Sequence, residues 1–367
     1  MKPTRLATLL AVAALVPVAA ACGDDDDDAA STETTQSEAA AAADLGAIKG
    51  YLTEHSAALA DETAKLKEQG QAYYDLAKRS NFNYGQMLEE NRDEVNAILE
   101  DAKATYVRAN PAYEEMEGIV AGVSSLADYD VIIDAGSSGD DPENAVPFDL
   151  ELPNGKTLKQ PGNFMFLTET ALYGTNDALT AKGVKADLNG NGEVEFGEAL
   201  PDANIFIATT RDFDKYAREL DSEANAFEPT DSDAFSALVI MTPTMSEYFE
   251  AWKNSRFVAG SKASEQAFVA TSRLSDIADI LEGLVFTYDG VQPIVADADP
   301  QQANQTEESL QKLHAFAADL RDKEDSGRKY TAEEADTLGS QAQEQAEAIA
   351  GQITQAAAKL DIELEEG

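Results

Sequence analysis

The chain is 367 residues long and 43% apolar, enough to bury a sizeable core, with 69 acidic residues against 27 Lys and Arg and a formal charge of −42. That balance excludes nucleic acid as a partner, because phosphate recognition needs a basic surface. Two histidines and one cysteine leave too few soft ligands for a zinc centre or a cysteine protease, so any metal should be hard and oxygen-bound.

Residues 1–21 read as a secretory signal. Lys2 and Arg5 precede an apolar run from Leu6 to Val16, and small residues precede Cys22. The run is too short to span a bilayer. Ala19, Ala20 and Ala21 before Cys22 resemble a bacterial lipobox, which implies cleavage and lipidation at Cys22. The mature protein is then expected outside the cytoplasmic membrane, anchored by acyl chains. Residues 22–43 follow as a tether: GDDDDDAASTETTQSEAAAAA has nothing to bury, and its five aspartates repel one another.

From residue 44 to about 362 the apolar spacing is helical. Leu45, Ile48, Leu52, His55, Leu59, Leu66 and Tyr73 trace one stripe; Met87, Val95, Leu99 and Tyr106 trace a second, which Pro111 should break or bend. Tyr113, Met116, Ile119 and Val120 resume the pattern. Residues 136–162 are rich in Gly, Pro and Asp. There the alternation of Phe148, Leu150 and Leu152 before Asn154-Gly155 predicts a small β-hairpin near 148–158. A helix is expected from Phe164, then others near 204–224, 231–256 and 262–290. Pro300 should open the next, and Thr331 with Glu334 should cap the last, which runs to about Leu360. The fold class is all-α, as packed antiparallel helix bundles. His55 and His314 lack companions at metal-ligand spacing and read as core or groove residues.

One stretch carries a metal pattern. In DLNGNGEVEFGE, Asp187, Asn189 and Asn191 alternate so that their oxygens can converge, and Gly192 permits the sharp turn that a Cβ would crowd. Glu193 would offer its carbonyl, Val194 an apolar anchor, and Glu195 a direct or water-mediated ligand, with Glu198 closing the site with two oxygens. This is the spacing of an EF-hand calcium loop. Its few acidic side chains, the lack of a second loop and Pro201 just beyond it point to a weak structural calcium ion rather than a sensor.

Three further stretches resemble the imelysin-like family, which includes Efe-type bacterial iron-uptake lipoproteins. RANPAYEEMEGIVAGVSSLADYDVIIDAG is similar to the family's glutamate-bearing helix and aspartate-rich loop, with Glu117 in the helix and Asp128, Asp130 and Asp134 in the loop. FMFLTETALYG resembles the Gly-x-His-x-x-Glu motif. SDIADILEGLVFTYDGVQPIVADADPQ is similar to the penultimate helix. The motif histidine is replaced by Phe166 and only Glu169 remains. The resemblance therefore implies an imelysin-like bundle but weakens its peptidase implication, since phenylalanine neither binds metal nor moves a proton. No His-Glu-x-x-His or Gly-x-Ser-x-Gly motif supplies another catalytic site. Glu117 shares a helical stripe with Tyr113 and Val120, and Glu169 one with Met165 and Leu172. Family-like packing would bring Glu117, Asp130, Asp134 and Glu169 into an oxygen-only second cation site; a rotation of either helix would leave them in water instead. The expected function is that of a non-catalytic, membrane-anchored calcium-binding lipoprotein. The alternative is capture of iron or another divalent cation for a membrane iron permease.

Overall fold

The structure, a computed structural model, describes residues 41–365; the signal, Cys22 and all but the last residues of the tether lie outside them. The described residues, 41–365, all belong to one compact unit. Helix α1 (Leu45–Arg79) buries the predicted stripe of Ile48, Leu52, Leu59, Leu66 and Tyr73 between α2 (Tyr84–Gly122) and α5 (Ala203–Ala226). The rest of the order is α3 (Ala127–Asp130), α4 (Phe164–Tyr173), α6 (Asp231–Met241), α7 (Met245–Asn254), α8 (Arg256–Ala259), α9 (Arg273–Ala298), α10 (Pro300–Asp325) and α11 (Ala332–Lys359). Helix α2 also packs on α9 and α6, α9 on α10, and α11 on α7 and α10. The fold is the expected all-α bundle: α2 and α9 join an amino-terminal group to a carboxy-terminal one.

Helices α2 and α9 approach closely because small residues face across them. A Cβ on Gly283 would lie 2.1 Å from the Glu115 carbonyl oxygen, and one on Gly118 would lie 2.8 Å from Leu284 Cδ2. The hairpin forms as β1 (Asp149–Glu151) against β2 (Thr157–Lys159), with Leu150 opposite Leu158 and Gly155 at φ 80° in the turn. The Thr331–Glu334 capping box forms at α11, and Pro300 occupies the first turn of α10 behind Asp299.

Three expectations need correction. Pro111 does not end α2, which runs through it; the non-helical residue is Asn91 (φ −137°, ψ 30°). Proline removes the bond to the Val107 carbonyl, and that residue is 39% exposed, so water can take the bond's place. The helix expected over 231–256 is divided at Thr242–Thr244, where Pro243 lacks an N–H. The helix expected from 262 starts only at Arg273, because residues 263–272 spend their backbone N–H groups elsewhere, as shown below. No described helix is long and apolar enough to cross a membrane.

Candidate metal centre

Helix α2 presents Asn110, Tyr113, Glu114 and Glu117 on one inward face, all buried. Helix α3 adds Asp130, and the π-helical turn Val131–Ala135 that follows it turns Asp134 toward the same point. Asn163, the N-cap of α4, fixes that turn by donating to the carbonyls of Asp134 and Gly136 while accepting from the Phe166 N–H. Helix α9 contributes Arg273 and Asp276 from its first turn, behind the Ser272 cap.

Five carboxyl groups thus surround one guanidinium. Arg273 Nη1 lies 3.2 Å from Asp276 Oδ2, 3.5 Å from Glu114 Oε2 and 3.8 Å from Asp134 Oδ2. Its guanidinium sits between the rings of Tyr248 and Phe268, 4.3 and 4.6 Å from their centroids. Tyr113 Oη donates to Asp130 Oδ1 at 2.6 Å, Tyr248 Oη to Glu117 Oε1 at 2.8 Å, and Asn110 Nδ2 to Glu114 Oε1 at 3.0 Å. Glu114 Oε2, Glu117 Oε2 and Asp276 Oδ1 have no hydrogen-bond partner.

Burial is the main cause of the electrostatics. It holds Glu114 and Asp130 well above the usual carboxylate range, and raises Glu117 and Asp134 against the opposing pull of Arg273. Asp276 is pushed up to about 6. Burial pulls the Arg273 guanidinium down, but the carboxylates, Glu114 foremost, outweigh it and hold it well above its usual value. Among the described residues, ligand oxygens of Glu114, Glu117 and Asp134 form a group of three within 4.8 Å of one another. An all-oxygen set with orphaned buried oxygens fits a hard cation, which would satisfy them and relieve the repulsion.

The four carboxylates read from the sequence, Glu117, Asp130, Asp134 and Glu169, all line one cavity of about 1010 Å³, together with Arg273 and Tyr248. Only Glu117 and Asp134 belong to the close group. Glu169 is engaged otherwise: its Oε2 accepts from the Phe268 N–H at 2.7 Å, and its Oε1 from Val269 and Ala270 at 2.9 and 2.8 Å. Phe166, at the motif's histidine position, also lines the cavity with an apolar ring. Sequence reasoning missed Glu114, Asp276 and Arg273. Glu114 precedes Glu117 by three residues on the same helix face. Arg273 and Asp276 escaped because the helix start at Ser272 was not recognised.

The Asp187–Glu198 loop is a different kind of structure. Between Gly174 and α5 the chain has only the 3₁₀ turn Asp177–Leu179, so no helices flank the loop and Pro201 has no exiting helix to shorten. Asp187 accepts from the N–H groups of Gly190 and Gly192, Asn189 Oδ1 from Asn191, and Asn191 Oδ1 from Glu193. Glu198 folds back to accept from Leu188, Asn189 and Glu195 at 3.1, 3.0 and 2.8 Å, which holds its carboxyl below the usual range. Glu195 accepts from Asn189 Nδ2. Arg92 stands 3.6 Å from Asp187 Oδ1, and Lys185 donates to the Gly192 carbonyl. Val194 is 48% exposed and anchors nothing, since there is no second loop for it to meet; Leu188 is the apolar residue turned inward. His55 is a groove residue whose Nδ1 lies 2.9 Å from Glu115 Oε2.

A helical bundle built around a buried, carboxylate-lined cavity is the class that fold and site define. The imelysin family model matches residues 47–360, and the chain belongs to that family. No curated protein matches it.

Proposed function

We propose that this protein captures a hard cation, such as iron, at the Glu114–Glu117–Asp134 group at the edge of the cavity, outside the cytoplasmic membrane, and passes it to a membrane permease. Membership of the imelysin family suggests a role related to iron uptake. The observation that carries the proposal is the pair of buried oxygens without a hydrogen bond, Glu114 Oε2 (3.5 Å from Arg273 Nη1) and Glu117 Oε2, in a group with Asp134 beside a 1010 Å³ cavity. Leaving such oxygens unpaired costs folding energy that a bound cation recovers. Asp130 lines the same cavity, and Arg273 is the resident counter-charge. Lipidation at Cys22 would hold the protein at the membrane surface, with residues 22–43 as its tether. Phe166 at the motif's histidine position supports a non-catalytic reading.

The Asp187–Glu198 loop carries a second reading, a structural calcium ion. Its support is the twelve-residue spacing and a compact loop in which the side-chain oxygens of Asp187, Asn189, Asn191 and Glu198 accept from the loop's own N–H groups. Metal analysis of the purified protein by native mass spectrometry tests both. We expect one iron whose binding is lost in Glu117→Gln and kept in Glu198→Gln, and one calcium with the reverse dependence. Iron binding that Glu117→Gln leaves intact would remove the case for the cavity.

A further inference from the structure

One wall of the cavity is the stretch from Gly260 to Ser272, a 3₁₀ turn followed by residues without regular structure, which meets α2 where Thr271 Oγ1 donates to Asn110 Oδ1 at 3.1 Å. It contributes Glu265, Gln266, Ala267, Phe268 and Thr271 to the lining. Such a segment makes no ladder of its own, so its inward N–H groups need acceptors from elsewhere. Glu169 supplies them. Three successive N–H groups, of Phe268, Val269 and Ala270, converge on its two oxygens, and the carboxylate is 2% exposed. This convergence requires Phe268 at φ 52°, a left-handed conformation that a bulky side chain adopts only under constraint. The same turn lays the Phe268 ring on the Arg273 guanidinium.

Three N–H dipoles with their positive ends on one carboxylate disfavour a cation at the same oxygens. Glu169 is therefore poorly disposed to be a ligand and well disposed to hold the wall. One tie from the same part of the chain supports it at the segment's other end: Thr175 Oγ1, just past α4, donates to the Gln266 carbonyl at 2.7 Å. We infer that Glu169 is a positioning residue, a strap that holds the 263–272 wall closed and sets how fast cargo enters and leaves, without binding the cargo itself. The inference rests on the cavity being the cargo site.

Full-length protein and ferrous iron provide the test, by stopped-flow binding and chelator-driven release, with amide hydrogen exchange read separately. Glu169→Gln keeps the shape but offers one acceptor oxygen instead of two. We expect entry and release to accelerate together, on the order of tenfold, the weight of one charge-assisted hydrogen bond. The dissociation constant should stay within about threefold, and exchange at Phe268, Val269 and Ala270 should quicken. A purely structural defect would not raise both rates at fixed affinity. Loss of iron binding by folded Glu169→Gln would make Glu169 a ligand and overturn the inference, as would unchanged rates. Should that variant fail to fold, Thr175→Val, which leaves Glu169 in place, is expected to give a smaller acceleration of both rates. Exchange at amides 268–270 that is unchanged in Glu169→Gln would also overturn it. Wild-type protein that takes up no iron would refute the cavity reading, while the amide measurement would still decide the strap.

Discussion

The cavity and the exposed loop use the same carboxylate chemistry and solve its electrostatics in opposite ways. In the loop, Glu198 is drawn below its usual range by backbone N–H donors close to water. Around Arg273, burial raises Glu114, Glu117, Asp130 and Asp134, and the guanidinium opposes it only in part. Hydrogen bonding to a charged form and withdrawal of water from it are opposing forces, and exposure decides which wins. The loop satisfies its carboxylates with its own N–H groups. The buried cluster keeps carboxyl oxygens without a hydrogen bond.

The strongest way to break this contrast is to remove the resident cation. Arg273→Met should destabilise the cation-free protein by about 3–5 kcal/mol, the usual result of leaving buried charges uncompensated, and iron should restore part of the loss. A urea midpoint close to wild type would mean that the carboxyls are already neutral.

A second test is pH. Burial lifts Glu169 from 4.5 to about 7 and Asp276 to about 6. Raised native values mean that the folded state holds these protons more tightly than the unfolded chain. Stability of the cation-free protein should therefore fall as pH rises through the interval, by about 3 kcal/mol for Glu169 alone. Melting temperature should increase on acidification from about pH 7.5 to 5.5; a decrease would contradict the assignment. Glu198 has the opposite sign, with its contribution present at neutral pH and lost as its carboxylate is protonated.

Smaller effects belong to the loop. At about 10 mM calcium, an ion held at the affinity of extracellular modules should stabilise the protein by about 1–3 kcal/mol. Glu198→Gln should abolish that increment in thermal melts and leave cavity iron unchanged. Val194→Ser should change stability by less than about 0.5 kcal/mol, because the side chain already stands in water. A larger loss would show that Val194 packs against something in solution.

The bundle was legible because α1, α2 and α5 bury regular stripes, and side-chain periodicity is a local property. The site was legible in part. Glu117, Asp130 and Asp134 were found through a family segment, and their convergence depends on a π-helical turn that no periodicity reveals. Arg273 stayed hidden because residues 263–272 have helix-compatible composition, while their N–H groups go to the Asn254 carbonyl, the Glu265 side chain and the distant carboxylate of Glu169. Pro111 misled in the other direction: its missing hydrogen bond falls where the helix meets water.

The glycine contacts between α2 and α9 have a mechanical consequence. With Gly283 against the Glu115 carbonyl and Gly118 against Leu284, these two helices pack backbone to side chain with no room for a larger residue. One wall of the cavity is thus closely packed, and it carries Glu117 and Arg273. For the proposed cation, this wall would set the spacing of the ligands and the 263–272 segment the freedom of passage.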